Sequence, residues 1–522
     1  MSKILAAVAA LLLLAVAPFA RADAPTRAEA PTRAEAPTRA EDRPAPTQLP
    51  PKVETRHTIT LGGNSVNYRA VAETFALTDH KGTPTASIYT VSYLADAPAG
   101  QKRPVAFVFN GGPGAASVFL HLGALGPRIL DTPGDGSVPN PPYKLVDNPN
   151  SWLAFTDLVF VDPVGTGFSH GEEKKGDDKD GGGKGGNPDK PFWNVRDDLT
   201  SLGSVMRLWL TRHERWPSPV FIVGESYGGY RVAALAQTLV EDVGITVNGI
   251  VMVSPALDMD LMGDKIIDPM AAAFQIPSYA ATAASLAGKP LTPDAAAKVE
   301  QFALGDYISG LTAMTGLPPV GDPFIARVAK TIGLDEDTVR RARARVSSQM
   351  YARMLRRDQQ ERLSVYDGTV KRATRGNPWD DDAGDPILVP ATAAFTAAFD
   401  AYAPEALGYH TELPYRVLPH DVFGQWDWKG ADKGEGGLGL ALTDFEQAML
   451  AHPQTRVLIV NGRHDLVTPY LSTRWLIDQL SLPQAVRQAI RIKVYDGGHM
   501  MYLRHDSVAA LAHDAADLFS GR

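Results

Sequence analysis

Cysteine is absent from the 522 residues of this chain. Disulfides, thiolate nucleophiles, iron–sulfur clusters and cysteine-based zinc sites are therefore excluded. A basic excess is lacking too. The 51 Lys+Arg against 59 Asp+Glu give a net charge of −8, which offers nucleic acid no electrostatic footprint. Beyond the N-terminus no apolar run approaches the ~20 residues that a membrane-spanning helix needs. What remains is 44% hydrophobic and 21% charged, an ordinary globular balance and too apolar for a wholly disordered chain. Length alone suggests about three domains of ~150 residues, although α/β enzymes often run longer as one unit.

Lys3, the apolar run Ile4–Val16 and Pro18 open the chain, and Ala20-Arg21-Ala22 puts small residues where a signal peptidase reads them. This is the pattern of a cleavable secretory signal over residues 1–22, with cleavage expected after Ala22 and a periplasmic or secreted product. The competing reading, an uncleaved anchor, needs a longer run. Ala-Pro-Thr-Arg-Ala-Glu then occurs three times between Ala24 and Glu41, followed by a Pro-rich stretch to Pro51. Without large apolar residues, residues 23–52 cannot bury enough surface to offset their chain entropy, so a disordered linker is expected.

From Glu54 to Leu94 short alternating segments, among them His57–Leu61 and Ala86–Tyr93, flank a Gly62-Gly63 turn and predict antiparallel strands. The character then changes to continuous apolar runs: Val105–Phe109, Leu158–Val161, Val220–Val223, Ile250–Val253, Val457–Val460 and Ile490–Val494. Separated by helical stretches such as Val195–His213, these predict an α/β fold with a mostly parallel central sheet covered on both faces. Between residues 258 and 443 the strand signal disappears and Ala-rich helical stretches dominate. A helical cap insertion is expected there, between a first half (residues 53–257) and a second half (residues 444–522) of one sheet domain. The Arg-rich segment Val339–Val346 reads as a solvated helix face. The Gly/Asp/Lys-rich stretch Lys174–Lys190 and the run Asp380–Asp385 read as surface loops, because their carboxylates lack the fixed spacing of a metal loop. No metal and no cofactor is expected.

Gly224-Glu225-Ser226-Tyr227-Gly228 follows an apolar strand and opens a helix. In that setting Gly-x-Ser-x-Gly is a nucleophile elbow: the sharp turn demands small neighbours and projects the Ser226 hydroxyl into a cleft. A hydroxyl attacks only when a positioned base takes its proton. Strand Arg456–Val460 runs into Asn461-Gly-Arg-His-Asp465, and strand Ile490–Val494 runs into Asp496-Gly-Gly-His499. The chain order Ser, acid, His then selects Asp465 and His499, both just past strand ends. Asp496 competes with Asp465. His464 precedes the acid, and His505 and His513 fall on an expected final helix over residues 507–519. An oxyanion needs preorganised N–H donors. The Tyr227 amide is one candidate, and the turn Asn110-Gly111-Gly112-Pro113-Gly114 after Val105–Phe109 offers the other.

Taken together, Asn110-Gly-Gly-Pro-Gly, Gly126-Pro127, Asn150-Ser-Trp through Asp162-Pro-Val-Gly-Thr-Gly-Phe-Ser169, Gly224-Glu-Ser-Tyr-Gly-Gly, Asn461-Gly-Arg-His-Asp and Gly498-His-Met resemble the serine carboxypeptidase family of the α/β-hydrolase superfamily. The resemblance implies an α/β-hydrolase fold with a helical cap and a serine-type carboxypeptidase taking peptides or proteins with a free C-terminus. Ser226, Asp465 and His499 would then be the triad, with the Gly112 and Tyr227 amides as oxyanion donors. Asn110, the Gly111 amide and Glu225 would hold the substrate carboxylate. Two carboxylates approach only when one is protonated, so this role implies activity favoured at acidic pH. The chain also departs from the family. Ala115 and Ala116 stand where many members have Cys and Ser. Ala124 stands where better-known members have a second carboxylate-binding Glu, and Val108 where they have Trp. A proline aminopeptidase or an esterase on the same fold, and a non-catalytic scaffold, are the alternatives.

Overall fold

In the computed structural model, residues 49–522 are described, apart from residues 51, 99, 101, 174–185, 263–266, 376–382 and 429–439. The expected signal, the hexapeptide repeats and most of the two loop runs lie outside the described residues. The alternating segments form three antiparallel strands, β1 (Lys52–Leu61), β2 (Asn64–Thr78) and β3 (Pro84–Ala95). β1 and β2 pair down to Leu61↔Asn64. Only two residues, Gly62 and Gly63, are left for the turn, both with positive φ of 55° and 82°, the conformation that suits a right-twisted hairpin.

The continuous apolar runs become β4 (Val105–Phe109), β5 (Asp157–Val161), β6 (Val220–Glu225), β7 (Gly249–Val253), β8 (Arg456–Gly462) and β9 (Ile490–Tyr495). One sheet carries all nine in the order β1-β2-β3-β5-β4-β6-β7-β8-β9, with the short strand His170–Gly171 beside β3. β3 and β5 are antiparallel, and from β5 onward every neighbour is parallel. Every residue of β4, β5, β6 and β7 is buried, which explains their unbroken hydrophobicity.

Alternate side chains feed two cores. Ala106 and Val108 face one, with α4 (Leu388–Glu405) and α6 (His505–Ser520). Val105, Phe107 and Phe109 face the other, with α1 (Val195–Arg212), α2 (Tyr227–Thr238) and α5 (Leu440–Ala451). A third core gathers α3 (Pro269–Leu286) with Ile325, Val328, Tyr351 and also Leu466 and Tyr470, so the cap shares apolar contacts with the loop after β8. Among its described residues, the region expected to lack strands holds a short hairpin, Glu361–Leu363 with Lys371–Ala373. α5 crosses the expected boundary at residue 443 and lies on the sheet through Ala441, Phe445 and Met449. Residues Pro46–Arg522 form one compact unit.

The chain steps from β4 to β5 on one side and returns to β6 on the other. A crevice opens at such a switch, beyond the carboxyl ends of β4 and β6. Phe109 pairs with Gly224, so Asn110 and Glu225 leave the sheet side by side.

Candidate active site

Ser226 sits between the end of β6 and the start of α2 with φ 60° and ψ −123°. A non-glycine residue held there is strained by about 1–3 kcal/mol, which the surrounding structure must overcome. Three backbone hydrogen bonds hold it: Ser226 N to Val253 O at 2.9 Å, Gly229 N to Ser226 O at 2.8 Å, and Ala256 N to Ser226 O at 3.0 Å. The Asn110–Gly114 turn presses directly on this elbow. A Cβ at Gly111 would lie 2.6 Å from Tyr227 N and 2.9 Å from Ser226 Cβ, so only glycine lets the two backbones meet.

Asp465 and His499 come together across 34 residues of sequence, His499 Nδ1 lying 2.9 Å from Asp465 Oδ2. Asp465 is fully buried among donors. Oδ1 accepts from Val467 N at 2.8 Å and Thr468 N at 2.9 Å, and Oδ2 also accepts the Thr468 hydroxyl at 2.5 Å. Burial disfavours charge on His499, but the Asp465 carboxylate and, more weakly, Glu225 outweigh it, so its pKa lies above the usual histidine value. Tyr366 fixes the ring from outside: its carbonyl accepts His499 N at 2.5 Å, and its ring meets the imidazole edge to face. Ser254 bridges toward the elbow, donating from Oγ to His499 O at 2.9 Å while following Val253, the acceptor for Ser226 N. Among the described residues no hydrogen bond joins Ser226 to His499. In hydrolases that contact often tightens only with substrate bound.

The rivals are drawn elsewhere. Asp496 pairs with His464 Nε2 at 3.2 Å and Arg504 at 3.3 Å, and those contacts, led by the His464 hydrogen bond, depress its pKa to about 2. His513 is exposed beside Asp517. Among the described residues no group of three or more His, Asp or Glu side chains is arranged to hold a metal ion.

Glu225 is buried next to Ser226. Asn110 Nδ2 donates to its Oε2, and Tyr502 Oη lies 3.0 Å from both carboxylate oxygens. Asn110 Oδ1 accepts Leu120 N at 3.0 Å, which settles which end of the amide faces Glu225. Desolvation dominates and lifts the Glu225 pKa to about 7, against the lowering pull of His499, Tyr502 and Asn110. Ala124 lies buried in the His121–Leu125 turn. The Tyr502 ring packs over that turn, 2.9 Å from where a Gly123 Cβ would be. Tyr502, Thr468, Ser254 and Tyr366 escape sequence reasoning, since each reaches the site through tertiary packing and none carries a local pattern.

A mixed sheet of this order, with an elbow at one strand end and an Asp–His pair at two others, defines an α/β-hydrolase. Residues 88–287 match the family model for serine carboxypeptidase. Serine carboxypeptidase-like 36 of Arabidopsis thaliana is 30% identical over 172 residues, 32% of this chain and 31% of that protein. Serine carboxypeptidase-like 20 of the same plant is 31% identical over 172 residues, 32% and 30% of the two chains. The chain thus spans about a third of the length of these curated relatives. Among solved structures, a proline iminopeptidase of Mycobacterium smegmatis aligns with TM-score 0.33 at 12% identity, over 86% of this chain and 99% of that one.

Proposed function

We propose that this protein is an exported serine carboxypeptidase that hydrolyses the C-terminal peptide bond through an acyl-enzyme. In this reading Ser226 Oγ attacks the scissile carbonyl. His499 takes the hydroxyl proton and later gives it to the leaving amine, while Asp465 holds the imidazole and balances its charge. The Gly112 and Tyr227 amides meet the oxyanion. Asn110, the Gly111 amide and protonated Glu225 receive the substrate carboxylate. Export rests on the signal-like residues 1–22.

The observation that carries the reading is the buried carboxyl of Glu225 beside the nucleophile, held by Asn110 and Tyr502. A general esterase has no use for an acid there, whereas a carboxylate binder needs one that keeps its proton. The family's second glutamate is replaced by Ala124, and the Tyr502 hydroxyl supplies a hydrogen-bond partner to Glu225 instead.

Chemistry then requires neutral His499 and protonated Glu225. That state holds the same number of protons as the ion pair of Glu225 carboxylate with imidazolium, so the two groups titrate as a unit and the pH–rate profile is a bell. One peptide offered with a free and with an amidated C-terminus tests the reading. Release of the terminal residue from the free acid alone supports it. Equal cleavage of both, or release from the N-terminus, rejects it in favour of another α/β-hydrolase activity.

A further inference from the structure

α2 carries an arginine with no place in the chemistry above. Arg231 is fully buried, as is its partner Asp198 on α1. Arg231 Nε donates to Asp198 Oδ2 at 2.7 Å and Nη2 to Oδ1 at 3.3 Å. Nη1 donates to the carbonyl of Asn110 and, at 3.4 Å, to that of Gly111. Burying an ion pair costs several kcal/mol per charge in desolvation, and apolar residues of equal volume would often stabilise the fold as well or better. Packing alone therefore gives no reason for a guanidinium here.

We propose that Arg231, clamped by Asp198, is the positioning residue of the Asn110–Gly112 turn: by gripping the Asn110 and Gly111 carbonyls from behind, it turns the Gly111 and Gly112 amides toward the substrate. The inference rests on the reading of those amides given under Proposed function. Its geometry is that of the peptide unit. The Asn110–Gly111 and Gly111–Gly112 bonds are trans, the cis bonds lying at Gly112–Pro113 and Pro141–Pro142. In a trans unit the C=O and N–H point in opposite directions. Fixing each carbonyl on the α2 side aims the following N–H to the other side. A hydrogen bond from a cation also polarises the peptide and strengthens its N–H as a donor.

Two further features of α2 serve the same contact. Gly228 lies three residues before Arg231 on the same helix face. A Cβ at Gly228 would fall 2.6 Å from Phe109 O and 2.9 Å from Asn110 O, so glycine there lets the turn come within reach of the guanidinium. Tyr227, one residue further back, places its ring under Arg231 with Cζ 4.8 Å from the centroid. One buried cation thus touches Gly111, whose carbonyl shares a peptide unit with the Gly112 amide, and Tyr227, whose own amide is the other proposed oxyanion donor. Lysine would not replace it, because a single ammonium cannot hold a carboxylate in two places and two carbonyls at once.

The test compares wild type with Arg231→Met, Arg231→Lys and Asp198→Asn, on a small activated ester and on a free-acid peptide. Active sites are counted by fluorophosphonate titration, so misfolded protein does not enter the rates. Per active site, Arg231→Met should lose about 10²-fold in kcat on the ester, the scale of one lost oxyanion donor. On the peptide it should also raise KM, because the Gly111 amide is released. Arg231→Lys should recover only part of the loss. Asp198→Asn, which keeps the shape of the pair, should lie between Arg231→Met and wild type, and it stands in if Arg231→Met does not fold. A per-site kcat within about twofold of wild type in Arg231→Met, or in Asp198→Asn where Arg231→Met does not fold, overturns the inference, as does full recovery by lysine. Wild-type failure to cleave the peptide would sink the carboxypeptidase reading alone, since the ester still reports on the oxyanion hole.

Discussion

At Glu225 burial works against the hydrogen bonds from Asn110 and Tyr502, and burial wins, with a pKa near 7 in place of 4.5. Replacing it by glutamine keeps the shape and removes the titration. Glu225→Gln should therefore abolish the alkaline fall in kcat/KM. It should not move the acid limb to lower pH, because Glu225 is uncharged both in the doubly protonated pair and in the reactive state that follows it. A variant profile superimposable on wild type would remove Glu225 from the reaction. The same shift is a stability statement. A carboxyl whose folded pKa is raised favours folding least above that pKa. Wild type should thus lose stability relative to Glu225→Gln as pH rises from about 4.5 to about 7, by on the order of 3 kcal/mol in full. Denaturant midpoints of the two proteins at pH 4.5 and pH 8 measure it, and an unchanged difference contradicts it. Sequence made Ser226, Asp465, His499 and Asn110 legible because backbone turns at strand ends carry local patterns. It was silent on Tyr502, which reaches Glu225 over 277 residues, and on Thr468, whose hydroxyl is visible only once Asp465 and His499 have met.

Among the elements, the central parallel strands β4 to β7 were readable to within a residue or two, since a strand buried on both faces has no polar position to blur it. The hairpin Glu361–Leu363 with Lys371–Ala373 was not, because three-residue strands show no period. The boundary at residue 443 was also misplaced by pattern: α5 is Ala/Leu-rich like the cap helices, and only its packing against α2 assigns it to the sheet. α1 is tied to the sheet by one buried acid in β2. Glu73 accepts from His213 Nε2 at 2.5 Å and Arg212 Nη1 at 2.8 Å, and these partners outweigh its burial and keep its pKa low. Glu73→Ala strands the buried His213 donor, while the half-exposed Arg212 keeps the Thr74 carbonyl and solvent, and should destabilise the protein by about 2 kcal/mol in urea unfolding, within the range for an unsatisfied buried group. A loss below about 0.5 kcal/mol would show that the cluster does not fasten α1.

For the whole molecule, the site draws on the ends of five strands and on loops that lie hundreds of residues apart, so it exists only in the assembled sheet. Residues Pro46–Arg522 make up one compact unit, and all the proposed site residues lie within it. Protein lacking residues 1–45 should therefore keep its thermal midpoint within about 2 °C and its kcat/KM within twofold, and a larger loss in either would assign the N-terminal stretch a part in the fold or the reaction. The most direct measurement of the central claim is mass spectrometry of an unmodified peptide incubated with wild type and with Ser226→Ala. Wild type should shorten the peptide one residue at a time from the C-terminus, and the variant should leave it intact. An identical ladder from both proteins would contradict it.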